Sequence, residues 1–123
     1  MNSINLENTY TSLPQEFFRY TEAEAMPDVN VVTINEQLAD LLNIDIGFLK
    51  SQSGLRFLSG KNSKTLPNSI SLAYAGHQFG HLVPQLGDGR AVLLGDKICQ
   101  DGVRRDIQLK GSGKTYFSRG GDG

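Results

Sequence analysis

The chain has 123 residues and a formal net charge of −1 at pH 7, and 38% of its residues are hydrophobic. This length suits one modest domain and excludes a complete enzyme built from several domains. The basic residues are dispersed and form no basic helix interleaved with aromatic residues, which argues against nucleic acid as a partner. We therefore predict a folded protein that binds no nucleic acid.

Charge and glycine are both distributed unevenly along the chain. Residues 1–60 hold three basic and eight acidic side chains, a net charge of −5, whereas residues 61–123 hold nine basic and five acidic ones, a net charge of +4. Eleven of the 14 glycines follow position 75, and glycine allows tight turns and close approach of the backbone to another group. The second half is therefore predicted to bind a small polyanion.

Cysteine content and the N-terminal sequence bear on the cellular compartment. Cys99 is the only cysteine, which excludes an intrachain disulfide and a zinc site built on cysteines. The N-terminus lacks the basic and apolar segments of a signal peptide, and the longest aliphatic run is Ala91–Leu94. These features predict a cytoplasmic protein with no membrane partner.

Residues 1–68 are predicted to be an N-terminal arm with a short strand and helices that pack on the rest of the protein. The alternating β-branched residues of Val29–Ile34 predict the strand. Asn35 and Asp45 are each predicted to cap a short helix. Residues 51–68 are rich in turn formers and predict a loop that contains one helical turn.

Residues 69–123 are predicted to form a glycine-rich β-meander. Its three apolar runs are Leu82–Leu86, Arg90–Ile98 and Arg104–Leu109, and the segments between them contain Asp-Gly, a strong hairpin signal. Pro84 restricts the first run to an edge of the sheet, since proline cannot donate to a strand ladder. The predicted fold class is α+β, with a helical and strand segment followed by an antiparallel three-strand meander.

The meander also predicts the position of Lys110. If the second turn centres near Asp101, Lys110 pairs with roughly Val92 and ends beside the glycine segment Gly87–Gly89. In that register Lys110 shares a sheet face with Val92 and Leu94, and a slip of one residue would reverse the faces. A glycine turn beside such a lysine is typical of a protein-kinase nucleotide roof, although most glycine pairs in β-turns are only turns.

Two other motifs offer alternatives. The run Lys110–Thr115 resembles the end of a P-loop with Lys114 as its lysine, but Gln108 stands where that motif needs glycine, and the residues that follow do not favour the required helix. His77 and His81 have the i, i+4 spacing of metal ligands. The neighbouring glycines disfavour a helix there, so we interpret both as ordinary hydrogen-bonding histidines.

Four blocks follow one another in the second half of the chain: Ala73–His81, Val83–Arg90, Asp106–Gly113 and Tyr116–Gly123. In this order they resemble the selenoprotein O (YdiU) family. Leu13-Pro14 and Asn35–Ala39 are similar to the N-terminal region of that family, so the resemblance covers nearly all of this chain. It covers about the first quarter of a typical member.

The resemblance implies a protein-kinase-like fold, called a pseudokinase, whose members transfer AMP from ATP to Ser, Thr or Tyr hydroxyls of proteins. It implies ATP as co-substrate and Mg²⁺, with Mn²⁺ as the alternative, held by residues downstream of position 123. The catalytic base would also lie downstream, so no catalytic residue and no metal ligand is implied within this chain. The residues that match the family's nucleotide-binding positions are Gly87, Gly89, Arg90, Lys110, Asp122 and Gly123.

Lys114 and Phe117 depart from the family pattern, which has an arginine and a tyrosine-like or small residue there, and we interpret both as surface changes. Ser118 is predicted to lie in a flexible tail with no base to activate it. Because the chain stops within what resembles a ligand loop, we expect an N-terminal fragment of the enzyme that is inactive alone. The alternatives are UMP transfer, a non-catalytic binding or structural module, a decayed fragment and, least favoured, a P-loop ATPase.

Overall fold

The structure, a computed structural model, describes residues 4–60 and 69–123. These residues form an α+β fold whose antiparallel sheet has five strands. None of the helices in the described ranges is long and apolar enough to cross a membrane. Two short 3-10 helices, Thr9–Ser12 and Gln15–Phe17, come first. In chain order the α-helices and strands are then β1 (Phe18–Tyr20), α1 (Glu36–Leu41), α2 (Ile46–Leu49), α3 (Gln52–Leu58), β2 (Ile70–Gln78), β3 (His81–Gly87), β4 (Ala91–Ile98) and β5 (Arg104–Lys110).

Within the described residues, each of the three α-helices begins at a polar side chain that accepts a hydrogen bond from the first turn. The Asn35 side chain accepts from the N–H three residues on at 3.0 Å, and that of Asp45 does the same at 2.8 Å. Both predicted caps are therefore confirmed. Ser51 caps α3 in the same way at 3.1 Å, and this helix is longer than the single turn predicted for residues 51–68, of which 61–68 lie outside the described residues.

Residues 29–34 form no strand, so the prediction from their β-branched alternation is wrong. A strand needs a hydrogen-bonded neighbour, and no described segment pairs with this one. Val32 is 97% exposed, as expected for a segment without a partner. The strand in the first half is instead β1, which pairs with the beginning of β2.

Strand β2 is the centre of the sheet. Its first residue, Ile70, pairs with Tyr20 of β1 on one side and with Leu93 of β4 on the other. Its second half pairs with β3, through a two-residue turn at Phe79 and Gly80 whose φ angles are +54° and +78°. Positive φ at both central positions is the pattern of a type I′ turn, whose twist matches that of a hairpin.

The predicted three-strand meander is wrong in one of its two pairings. Strands β4 and β5 form the predicted hairpin, but β3 pairs with β2 and not with β4. After β3, the Asp88 N–H donates to the Leu72 carbonyl of β2 at 2.9 Å. Strand β4 then pairs with β2 at Ile70. The residues 88–90 therefore form a bulge between two strands that lie end to end along β2, not a hairpin turn. In β3, Pro84 lies at the sheet edge as predicted, since β3 pairs with β2 alone among the described strands.

The pairing of β4 with β5 differs by one residue from the prediction. Ile98 pairs with Arg104, and this register, continued without interruption, would bring Lys110 opposite Val92. A bulge between residues 93 and 95 shifts the register, so that Lys110 pairs with Ala91. Lys110 therefore does not share a face with Val92, and the face prediction is wrong. The glycine at position 95, with φ +154° and the Glu7 carbonyl against it, makes this bulge possible.

The sheet and the helices share one apolar core. Val92 and Leu94 of β4 pack with residues of all three helices, and Leu109 of β5 lies against the same cluster. A smaller cluster on the opposite face contains Phe18, Ile70 and Leu93. The apolar side chains of β5, Ile107 and Leu109, thus face the helices, while Asp106, Gln108 and Lys110 alternate with them and lie on the other face.

Candidate functional site

One cavity of about 840 Å³ is lined by all six residues that the sequence predicts to bind a nucleotide. It lies beside the bulge of residues 88–90, the ends of β3 and β5, and the last residues of the chain. A smaller cavity of about 380 Å³, lined in part by Asp40, Asp45 and Lys97, contains none of the six. The predicted residues lining the larger cavity are Gly87, Gly89, Arg90, Lys110, Asp122 and Gly123.

The prediction that Lys110 ends beside the glycine segment is confirmed. Lys110 is the last residue of β5 and pairs with Ala91, the first residue of β4. The next N–H along the chain, that of Gly111, donates to the Arg90 carbonyl at 2.8 Å. These two backbone contacts hold the lysine at the end of the bulge, and its side chain is exposed at the cavity.

The Asp88 side chain is hydrogen-bonded to the backbone of β2. One of its carboxylate oxygens accepts the Leu72 N–H at 3.0 Å, while its own N–H donates to the Leu72 carbonyl at 2.9 Å. Burial raises the pKa of Asp88, and the hydrogen bond from Leu72 opposes that change only in part. Asp88 therefore completes the ladder across the bulge, and it leaves the N–H groups of Gly89 and Arg90 without an acceptor in the described part of the chain.

The turn of residues 115–118 packs against the other side of the bulge. The Thr115 hydroxyl donates to the Asp88 carbonyl at 2.5 Å, and the Ser118 hydroxyl donates to the Gly89 carbonyl at 2.8 Å. The Phe117 ring lies against Gly87, in the space that a side chain there would occupy. Phe117 is thus not the surface change that the sequence suggested, and Ser118 is held by hydrogen bonds, not placed in a loose tail.

Asp122 and Gly123 reach the cavity through close backbone contacts. Gly123 has a φ of +91° and lies directly against the carbonyl of Gly113, where no side chain fits. Gly113, with φ +106°, lies in turn against the Glu24 side chain. The last residues of the chain therefore fold back beside β5 and bring the exposed Asp122 carboxylate to the cavity wall.

The charged side chains that line the cavity are unequal in number. Arg90, Lys110 and Arg119 are basic, and Asp88 and Asp122 are acidic. Sequence reasoning did not identify Arg119, whose only signal was a basic residue before a glycine pair. The Asp88 carboxylate is hydrogen-bonded within the sheet, so the charge around the cavity is mainly positive. The N–H groups of Gly89 and Arg90, which have no acceptor among the described residues, add donors that suit an anionic ligand.

The competing motifs do not form the sites that their spacing suggests. No helix follows Thr115 in the described residues, and Lys114 does not line the cavity. His77 and His81 are exposed in two strands joined by a turn, so they are not on one face of a helix. Within residues 4–60 and 69–123 no three His, Cys, Asp or Glu side chains form a group that could hold a metal ion.

Comparison with known proteins identifies the family. The sequence matches the family described as Protein adenylyltransferase SelO over residues 1–123. The chain belongs to the SelO family. This confirms the resemblance seen in the four sequence blocks, and the names of the family and of its relatives indicate a nucleotidyltransferase.

Two relatives of this SelO chain show how much of a longer protein it covers. It is 52% identical over 124 residues to Protein nucleotidyltransferase YdiU of Clostridium botulinum, which is 99% of this chain and 25% of that protein. It is 50% identical over 117 residues to the protein of the same name from Alkalilimnicola ehrlichii, which is 95% of this chain and 24% of that protein. The chain thus spans about a quarter of the length of these curated relatives.

Proposed function

We propose that this chain forms the phosphate-binding part of a longer, ATP-dependent protein adenylyltransferase with a kinase-like nucleotide lobe. The enzyme transfers AMP to Ser, Thr or Tyr hydroxyls of proteins. The observation that carries the proposal is the position of Lys110 and Arg90 around one cavity, at one end of a bulge where two N–H groups have no acceptor among the described residues. Membership of the SelO family supports it.

The cavity matches a nucleotide in size and in charge. Its volume of about 840 Å³ lies within the range of small-molecule sites. A bulge whose N–H groups lack acceptors offers donors to phosphate oxygens, as backbone concavities do in other phosphate sites. Lys110 and Arg90 add positive charge beside those donors, which offsets the charge of a triphosphate.

The same groups suit transfer of AMP. A protein hydroxyl oxygen attacks the α-phosphorus of ATP, the bond from that phosphorus to the bridging oxygen breaks, and pyrophosphate leaves with the electron pair. The hydroxyl proton passes to a base that we expect outside this chain. Lys110 and Arg90 would stabilise the charge that develops on pyrophosphate, and the bulge would hold the phosphates in line with the attack.

Mg²⁺, or Mn²⁺ in its place, would add further positive charge at the phosphates. Protein sites for Mg²⁺ need one or two carboxylates in addition to substrate phosphates. Of the two carboxylates that line the cavity, Asp88 is hydrogen-bonded within the sheet, and no three-ligand group occurs in the described residues. Asp122 is then the one lining carboxylate that remains, and a single carboxylate does not form a metal site by itself, so we expect the ligands of Mg²⁺ outside this chain.

Replacement of two lysines tests the proposal in the full-length protein. Lys110→Ala is expected to lower incorporation of label from α-labelled ATP into protein about a hundredfold, the effect of removing one group that stabilises transition-state charge. Lys114→Ala is the matched control, because Lys114 is exposed, lies four residues away and does not line the cavity. A P-loop ATPase would incorporate no label into protein, and its ATP hydrolysis would depend on Lys114 and not on Lys110. Undiminished transfer by Lys110→Ala would contradict the role of that lysine.

Two further measurements separate the remaining alternatives, and a third identifies the modified residue. Competition between ATP and UTP distinguishes AMP transfer from UMP transfer, since the preferred nucleotide suppresses use of the other. A wild-type full-length protein that labels no protein with either nucleotide would favour a non-catalytic module. Acid hydrolysis of the labelled product shows whether the modified residue is Ser, Thr or Tyr.

A further inference from the structure

We propose that Thr115 and Ser118 are positioning residues that hold the N–H groups of the bulge in place for the phosphates. The inference rests on the proposed function, because it assigns a role within the same nucleotide site. Neither hydroxyl has a role in the phosphate contacts proposed above. Their contacts with the bulge backbone carry the argument.

Both hydroxyls act as donor and acceptor at once. The Thr115 hydroxyl donates to the Asp88 carbonyl at 2.5 Å and accepts the Phe117 N–H at 3.0 Å. The Ser118 hydroxyl donates to the Gly89 carbonyl at 2.8 Å and accepts the Thr115 N–H at 2.7 Å. Two of these four bonds join the turn of residues 115–118 to two successive carbonyls of the bulge, and the other two fix the hydroxyls within the turn. They also leave neither hydroxyl proton free for nucleophilic chemistry.

The hydrogen bonds to the Asp88 and Gly89 carbonyls also fix the direction of the N–H groups that follow them, because of the geometry of the peptide group. A peptide bond is planar and trans, so the carbonyl of one residue and the N–H of the next point in opposite directions. The hydrogen bond to the Asp88 carbonyl therefore orients the Gly89 N–H, and the bond to the Gly89 carbonyl orients the Arg90 N–H. These are the two N–H groups that have no acceptor in the described residues.

Close packing supports the same role. An added side-chain carbon at Gly89 would lie 2.9 Å from the Phe117 carbonyl oxygen and 3.3 Å from the Ser118 Cα. The turn thus lies directly against the bulge backbone, with no room for a side chain between them. Backbone hydrogen bonds hold both ends of the bulge, from the Asp88 N–H to the Leu72 carbonyl and from the Gly111 N–H to the Arg90 carbonyl. The contacts with the turn constrain the peptide groups between these two ends.

The test uses the full-length protein and compares two ligands. Thr115→Val and Ser118→Ala remove the hydroxyls, and the double variant is expected to bind ATP about tenfold more weakly, since each lost hydrogen bond has a modest effect. Its affinity for adenosine, which has no phosphates, is expected to stay unchanged. Thr115→Ser and Ser118→Thr keep a hydroxyl and are expected to retain the wild-type affinity for ATP.

Ser12→Ala is the matched control, because the Ser12 hydroxyl makes the same kind of bond, to the Thr9 carbonyl at 2.7 Å, in an exposed turn outside the cavity. Titration calorimetry with ATP and adenosine measures both affinities. If the wild-type protein binds ATP, two results would overturn the positioning role. They are an equal loss of affinity for ATP and adenosine in the double variant, and an unchanged affinity of the double variant for ATP. Failure of the wild-type protein to bind ATP would overturn the proposed function itself, and the inference with it.

Discussion

The Phe117 ring occupies the space that a side chain at Gly87 would need. Gly87 has no positive φ, so its backbone conformation does not require glycine. The glycine is needed because an aromatic side chain from a residue 30 positions later packs against the backbone. The glycine segment and the turn of residues 115–118 therefore form one packed unit, and several of its properties can be measured.

Gly87→Ala is expected to destabilise the chain by about 1 to 3 kcal/mol, the usual effect of overpacking. The reason is the overlap of the new methyl group with the Phe117 ring. In a double-mutant cycle, Phe117→Ala is expected to relieve part of that loss, so that the double variant loses less than the sum of the single ones. Urea unfolding of the four proteins measures the coupling, and strictly additive losses would show that the ring is not the cause.

Asp96→Ala is expected to lower stability by about 2 to 4 kcal/mol, because it removes a buried acceptor and leaves its partners unpaired. The Asp96 side chain is 1% exposed; it accepts two hydrogen bonds from Thr9 at 2.9 Å and one from Arg104. Asp101→Ala is the control, since it also removes a carboxylate paired with an arginine, but at the surface. The melting temperature is expected to fall much less in Asp101→Ala than in Asp96→Ala. Equal falls would contradict the conclusion that burial makes the Asp96 hydrogen bonds more stabilising.

Acid is expected to destabilise the fold through two carboxylates. Burial alone would raise the pKa of Asp96, but the hydrogen bonds from Thr9 and Arg104 outweigh it and lower that pKa below 3.8. Hydrogen bonds from Arg105 and Val103 lower the pKa of Asp101 to about 2. Both folded pKa values lie below the unfolded ones, so the stabilisation is complete above about pH 5 and is lost as pH falls through the folded values.

Urea unfolding at a series of pH values checks this dependence. Asp96→Asn is expected to flatten the loss of stability between about pH 5 and about pH 2, because the amide does not titrate there. An unchanged slope in Asp96→Asn would show that other groups cause the acid sensitivity.

Asp88→Asn is expected to maintain or raise stability at neutral pH. Burial raises the pKa of Asp88, so this group favours the fold when protonated, and its contribution is lost as pH rises through the folded value. An asparagine oxygen can still accept the Leu72 N–H, without a charge to desolvate. Melting temperatures at neutral pH test this, and a clear fall in Asp88→Asn would mean that the charge itself stabilises the bulge.

Phe79→Asn is expected to stabilise the β2–β3 hairpin by about 0.5 to 1 kcal/mol. Phe79 has a φ of +54° and is 96% exposed, whereas asparagine adopts positive φ readily and Asn-Gly is favoured in this turn. Leu82→Asn is the control, because it removes an exposed apolar side chain, 63% exposed, from a strand position. A gain in both variants would assign the effect to lost apolar surface, not to the turn.

Local patterns in the sequence predicted the features that depend on neighbouring residues. Each of the caps at Asn35 and Asp45 depends on a side chain and an N–H that are three positions apart. The turn near Asp101 depends on a hydrogen bond from the Val103 N–H to the Asp101 side chain, two positions apart. The prediction for β3 failed because Asp88-Gly89 has the same composition in a bulge as in a hairpin turn. Two strands, β2 and β4, were possible partners for β3. Strand β3 pairs with β2, to which the short turn at Phe79 and Gly80 joins it.

Composition, motif order and capping residues together determined the α+β class, the family and the six candidate nucleotide-binding positions. Only the tertiary structure decided that Lys110 pairs with Ala91, that residues 88–90 continue along β2, and that Thr115 and Ser118 hold the bulge. Helix caps and turns use interactions within a few residues, which a linear pattern records. Strand register and the contact between bulge and turn depend on which apolar faces pack together. This packing depends on residues far apart in the sequence that compete for the same core, so a local pattern does not predict it.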